Sequence, residues 1–212
     1  MAAGYMFTIL ACLFLVLKVD GLETVNGKVK VTIQTTSGCG DTVRFIRDDL
    51  APTYELYKDF MEVDFVPWGR ATRNEDGVLS CQFGENDCWA NRLHRCALNL
   101  LKGNQDAQVH YMTCEYTTPF PSYLQGSYLC AHAVGLSLVD VDYCVANPGD
   151  ELDLAAEVKG NELTQALNFI PSVVFNDHID PVLHNQALQR FLNLICLALA
   201  NDPQTGVRDC AV

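Results

Sequence analysis

The chain has little positive charge. Only 14 Lys and Arg face 26 Asp and Glu, giving a formal net charge of −12 across 212 residues. No Lys/Arg cluster occurs, so the electrostatic footprint of a nucleic-acid binder or of an anionic-membrane binder is missing. There is no Asn-x-Ser/Thr sequon, no internal repeat and no low-complexity segment. After Leu17 no run approaches the roughly 20 apolar residues that a membrane-spanning helix requires. The five histidines, His94, His110, His132, His178 and His184, include no i, i+4 pair of the metal-binding kind. Nothing in the pattern asks for a metal or another cofactor.

One apolar run is present, and it is short. Tyr5 to Leu17 is almost unbroken for thirteen residues and is followed by Lys18, Asp20 and Gly21. That length fits a secretory signal core, with cleavage expected near Gly21, and falls short of a bilayer span. Residues 1–21 are therefore read as a signal peptide and 22–212 as a single mature domain, secreted and not inserted in a membrane.

Cysteine is plentiful. Of ten, Cys12 leaves with the signal segment, and nine remain: Cys39, Cys81, Cys88, Cys96, Cys114, Cys130, Cys144, Cys196 and Cys210. A signal peptide with this density points to an oxidising compartment and a disulfide framework. Nine is odd, so one thiol stays free or pairs with another molecule.

Lys28 to Thr35 alternates polar and apolar residues, which predicts a strand. Thr36-Ser37-Gly38-Cys39-Gly40-Asp41 reads as a turn. Thr42 to Leu50 has helical spacing, and Met61 to Val66 alternates again before Pro67. Roughly 80–167 lacks strand alternation and reads as a helical insertion carrying Cys81, Cys88, Cys96, Cys114, Cys130 and Cys144. Its longer helices are expected over Glu85 to Lys102 and Glu151 to Leu167. Ser172 to Phe175 is a short strand led by Ile170-Pro171. Asn176-Asp177 supplies a tight turn into a short return strand, and Pro181 opens a helix to about Ala200. This order predicts an α/β (α+β) thioredoxin-like fold, with a disulfide-rich helical insertion between its second and third core strands.

The segment from Cys81 through Gln82, Phe83, Gly84, Asp87, Cys88 and Asn91 to Cys96 resembles the signature of the gamma-interferon-inducible lysosomal thiol reductase (GILT) family, C-Q-H-G-x-x-E-C-x-x-N-x-x-x-x-C. Phe83 stands where the family has His, and Asp87 where it has Glu. Phe45-Ile46, Leu50-Ala51-Pro52-Thr53, Val66-Pro67-Trp68-Gly69 and Ile170-Pro171 agree in order, so the likeness spans about Val29 to Cys210. Zinc is the competing account of Cys81, Cys88 and Cys96. Their gaps of six and seven residues exceed the two to four usual in structural zinc pairs. Structural disulfides are the better account, and the family likeness implies the same.

By position, Cys39-Gly40-Asp41-Thr42 occupies the place of the family's C-x-x-C redox motif. In such a motif the first cysteine leads a helix, whose N–H groups and dipole favour thiolate. It attacks a substrate disulfide, and the second cysteine displaces the reduced substrate. Here the resolving position is Thr42, which has no redox couple. The loop also carries Gly40 in place of a φ-fixing proline. Setting Cys39 aside leaves Cys81, Cys88, Cys96, Cys114, Cys130, Cys144, Cys196 and Cys210, an even set for four bridges. A bridge through Cys39 with another cysteine free is the competing arrangement, and Thr42 could simply cap the helix. Pro171 is the expected cis-proline facing the redox loop, with the backbone before it open to an extended peptide.

The resemblance implies a thiol oxidoreductase ancestry with lost or strongly reduced dithiol activity. The chain is expected to act as a binding protein for a protein or peptide partner. Two alternatives stand beside this: a monothiol reductase using Cys39 with an external thiol such as glutathione, and a homodimer joined through Cys39. Family members reach lysosomes through N-linked sugar tags, so the missing sequon points to secretion, with the endosome–lysosome as the alternative.

Overall fold

A computed structural model describes residues 21–210. Residues 1–20 of the expected signal segment, Cys12 among them, lie outside that range. Strand β1 (Val29–Thr35) leads into helix α1 (Gly40–Arg44), a π-helical turn (Phe45–Leu50) and helix α2 (Ala51–Tyr57). Strand β2 (Met61–Pro67) follows, then a two-strand ribbon of β3 (Thr72–Arg73) and β4 (Leu79–Ser80). The helical insertion contains α3 (Glu85–Leu100), α4 (Gln105–Glu115), α5 (Pro121–Gln125), α6 (Leu129–Ala133), α7 (Leu138–Ala146) and α8 (Glu151–Leu167). Strand β5 (Ser172–Phe175) and helix α9 (Pro181–Ala200) close the described chain.

The main sheet has the order β2-β1-β5, with β1 parallel to β2 and antiparallel to β5. A central strand buries both faces, and β1 reads that way. Val29, Val31 and Ile33 face Phe45, Ile46, Leu50 and Phe191 in the larger core. On the other face Val66 and Val174 pack with Trp68, Ala156 and Leu163, so α8 covers it. Thr32, Gln34 and Thr35 are the polar residues buried on β1, and Gln34 Nε2 donates to Gly69 O, Gly160 O and Thr164 Oγ1 at 2.7–2.9 Å. An amide there needs those acceptors, because an unpaired buried polar group costs about 1–3 kcal/mol.

The helix after Cys39 departs from the simple pattern. Pro52 lacks an N–H and its ring crowds the carbonyl one turn back, so the ladder cannot run straight through it. The chain widens to a π turn just before it, with Ala51 N–H donating to Ile46 O and Thr53 Oγ1 donating to Asp49 O at 2.7 Å.

Four disulfides brace the fold: Cys81–Cys88, Cys96–Cys144, Cys114–Cys130 and Cys196–Cys210. Three lie within or border the insertion, where short helices bury little area of their own. Cys96–Cys144 spans 48 residues, a loop whose closure is worth about 4 kcal/mol in the chain-entropy account.

The return strand expected after Asn176-Asp177 is not formed. Both residues do take the positive φ of a tight turn (50° and 60°), but only a single Phe175–His178 bridge follows. Asp180 already caps α9, accepting from Val182 N–H and Leu183 N–H at 2.7 and 3.2 Å, so no length remains for a strand. The ribbon of β3 and β4 was not anticipated, since two residues per strand give no alternation to read.

Candidate functional site

Parallel β1 ends at Thr35, and the chain turns through Thr36-Ser37-Gly38 to Cys39, which caps α1 in an extended conformation (φ −89°, ψ 118°). Cys39 O accepts from Val43 N–H at 3.0 Å, so the cysteine begins the helix. Strand β5 runs antiparallel beside β1 with Gln34 opposite Ser172. That register brings Ile170-Pro171, whose peptide bond is cis, to the same end of the sheet as Cys39. The Cys39 thiol donates to Ile170 O at 3.5 Å.

Among the described residues Cys39 is the one free cysteine. Cys81, Cys88, Cys96, Cys114, Cys130, Cys144, Cys196 and Cys210 are all in disulfides. Cys39 is 8% exposed and forms part of the floor of an open cleft of about 350 Å³. Phe83 and Phe169, each 37% exposed, give this cleft its apolar lining. Asp41, Gln82 and Arg70 add polar groups, and Arg70 is held by Asn168 Oδ1 and Asn168 O at 2.9 and 2.7 Å. Thr42 is fully buried, and its hydroxyl has no hydrogen-bond partner among the described residues. It is therefore not a side-chain cap for this helix.

The signature segment packs directly beneath this loop. Asp87, fully buried, accepts from Thr36 Oγ1 (2.8 and 2.9 Å), Ser37 Oγ (2.6 Å), Gly38 N–H (3.1 Å) and Phe83 N–H (3.3 Å). One helical turn later, Asn91 Oδ1 accepts from Ser37 N–H at 3.0 Å, and its Nδ2 donates to Thr36 Oγ1 and Asp87 Oδ1. Two glycines make the approach close enough. A Cβ on Gly38 would come within 2.5 Å of Phe83 Cβ, and one on Gly69 (φ +63°) within 2.5 Å of Thr36 Cβ.

No histidine lines the Cys39 cleft. His178 is exposed beyond β5, at the opposite end of the sheet from Cys39. His184 is buried on α9, where its Nδ1 accepts from Val173 N–H at 3.2 Å and its ring lies 6.1 Å from that of Phe169. Burial pushes its pKa down, consistent with a neutral ring. Among the described residues no group of three or more His, Cys, Asp or Glu side chains is placed to hold a metal ion. Nor is any helix among them long and apolar enough to cross a membrane.

A cysteine-led helix after a central strand, with a cis-proline loop across from it, defines the thioredoxin-like class. A thioredoxin-like oxidoreductase from Silicibacter pomeroyi shares the fold, with a TM-score of 0.51 at 18% identity over 80% of this chain and 90% of that one. The gamma interferon inducible lysosomal thiol reductase (GILT) family matches residues 30–133, which include both the Cys39 loop and the signature. A gamma-interferon-inducible lysosomal thiol reductase-like protein of Anopheles gambiae is 26% identical over 84% of this chain and 80% of its own length. GILT-like protein 1 of Drosophila melanogaster is 25% identical over 80% of this chain and 74% of its own. The chain belongs to the GILT family.

Proposed function

We propose that this protein is a secreted GILT-family member whose dithiol cycle stops after its first step, leaving a module that binds extended cysteine-containing segments at the Cys39 cleft. The observation that carries the reading is Thr42, buried one turn behind a free Cys39. Attack by the Cys39 thiolate on a partner disulfide forms one S–S bond and breaks another, and the partner's second sulfur leaves as thiolate. Threonine has no sulfur with which to reverse this from within. Release would need an external thiol such as glutathione, and that step belongs to the second reading below, not to this one. Secretion is supported by the Tyr5–Leu17 run and by four disulfides, which persist in oxidising compartments.

A monothiol reductase is the second reading, favoured by the cleft that opens beside Cys39. Dimerisation through Cys39 has less support, because two sulfurs on residues only 8% exposed would have to approach to about 2 Å.

The test is turnover of a disulfide-linked peptide at acidic and neutral pH, with and without glutathione. No turnover above background is expected, together with a one-to-one mixed disulfide detected by mass and absent in Cys39→Ser. Glutathione-dependent turnover that vanishes in Cys39→Ser would replace the binding reading with the monothiol one.

A further inference from the structure

A fully buried carboxylate, Asp87, lies under the Cys39 loop. A carboxylate costs several kcal/mol to bury unless its oxygens are well supplied with donors. Asp87 is supplied almost entirely by one segment: Thr36 Oγ1, Ser37 Oγ and Gly38 N–H all donate to it. Asn91 adds Ser37 N–H and closes the network through Thr36 Oγ1. Every residue between the end of β1 and Cys39 is thus tied to two side chains on the first turns of α3. Two further donors reach Asp87: Asn91 Nδ2, from the same network, and Phe83 N–H, from the loop that carries an aromatic lining of the Cys39 cleft.

We propose that Asp87 and Asn91 are positioning residues for Cys39: they fix the Thr36-Ser37-Gly38 loop, and through it hold the sulfur beside Ile170 at the floor of the cleft. Neither touches the thiol in the hydrogen-bond network. Their effect is on where the sulfur stands when an extended segment lies across it, and on the placement of Phe83 beside it. The inference rests on Cys39 being the group that meets the partner, as argued above.

Asp87→Asn and Asn91→Ala separate positioning from mere accessibility when two disulfides are compared on the folded chain. One is 4,4′-dipyridyl disulfide, small enough to reach any exposed thiol. The other is an extended peptide carrying a mixed disulfide at its central cysteine. In both reactions Cys39 thiolate takes one sulfur, the S–S bond of the probe breaks, and the departing sulfur keeps the electron pair. Loosening the loop is expected to slow the peptide reaction at least about tenfold while leaving the small probe unchanged or faster, because misplacement penalises only the aligned reaction. Asp87→Glu, which keeps the carboxylate, is expected to recover most of the loss. Peptide rates that match the parent, or two rates that rise together, would overturn the proposal. Amide hydrogen exchange gives a reading that does not depend on Cys39 chemistry. Ser37 and Gly38 N–H should exchange about tenfold faster or more in Asp87→Asn as their hydrogen-bonded loop is released. Unchanged protection there would refute the clamp, whereas a parent thiol inert to the peptide would refute only the capture reading.

Discussion

Thr42→Cys is expected to raise disulfide reductase turnover on the order of a hundredfold, because it replaces a bimolecular resolving step by an intramolecular one. Residues three apart at a helix start share a face, so a thiol at position 42 lies where it can attack the Cys39 sulfur of a mixed disulfide. The partner then leaves reduced, Cys39 and the new cysteine are joined, and an external reductant such as dithiothreitol returns the pair to dithiol. The site should accept the change with little loss of stability. The Thr42 hydroxyl is buried without a partner, so exchanging it for a less polar thiol of similar reach removes an unpaired group. Insulin disulfide reduction driven by dithiothreitol checks the result, with Cys39→Ser/Thr42→Cys as control. If the single variant stays at the parent rate while its cysteines form a bridge on oxidation, the cleft and not the missing sulfur limits the chemistry. If no bridge forms, Thr42 does not occupy the resolving position.

The elements that place this site were legible wherever one physical period dominates. Alternation marks β2 because Glu62 and Asp64 face solvent, and β1 because its second buried face carries the polar Thr32 and Gln34. Ser172 to Phe175 shows as a short apolar run because both its faces are covered. The periodic apolar stripe likewise marks α9, although its backbone departs from helical geometry at Arg190 (φ −155°, ψ 50°), where neither Pro nor Gly stands. The π turn before Pro52 was not legible, since hydrophobic spacing does not distinguish a helix that runs straight from one that widens to pass a proline. The disulfide partners were not legible either: loop closure is decided by helix packing in the insertion, not by cysteine spacing. Asp87 and Asn91 were visible as signature letters, but their role was not. The groups they bind lie 49 to 55 residues earlier, and no local pattern links a carboxylate on α3 to the end of β1. The one available signal was two polar residues, Asp87 and Asn91, at i, i+4 spacing inside the signature.

Asp153→Asn is expected to cost about 3–5 kcal/mol, the usual consequence of removing one partner from a buried ion pair. Asp153 Oδ1 accepts from Arg92 Nη1 (3.0 Å) and Arg95 Nε (2.9 Å) and lies 2.7 Å from Arg95 Nη2, while Oδ2 accepts from Gly149 N–H (2.6 Å). All three side chains are nearly inaccessible, at 1% for Asp153 and 5% for each arginine. Arg92 keeps a second carboxylate in Asp150. Arg95 keeps only Pro67 O and the face of Trp68, 5.4 Å from its guanidinium carbon. It is therefore the charge left stranded, and with it the joint between α3, α8 and β2. The pH dependence follows from the same contacts. Burial alone would push the Asp153 pKa up, but the Arg95 charge, the Gly149 N–H and Arg92 outweigh it and leave it below the ordinary value. A carboxyl depressed on folding stabilises the native state above its unfolded pKa of about 3.9, and that stabilisation fades as pH falls through the folded value. Urea unfolding with disulfides intact should therefore show a constant gap between parent and Asp153→Asn near neutrality, narrowing below about pH 4. A gap under about 1 kcal/mol at pH 7, the scale of a solvent-exposed pair, would show that water reaches the cluster and that α3 is held to α8 by packing instead.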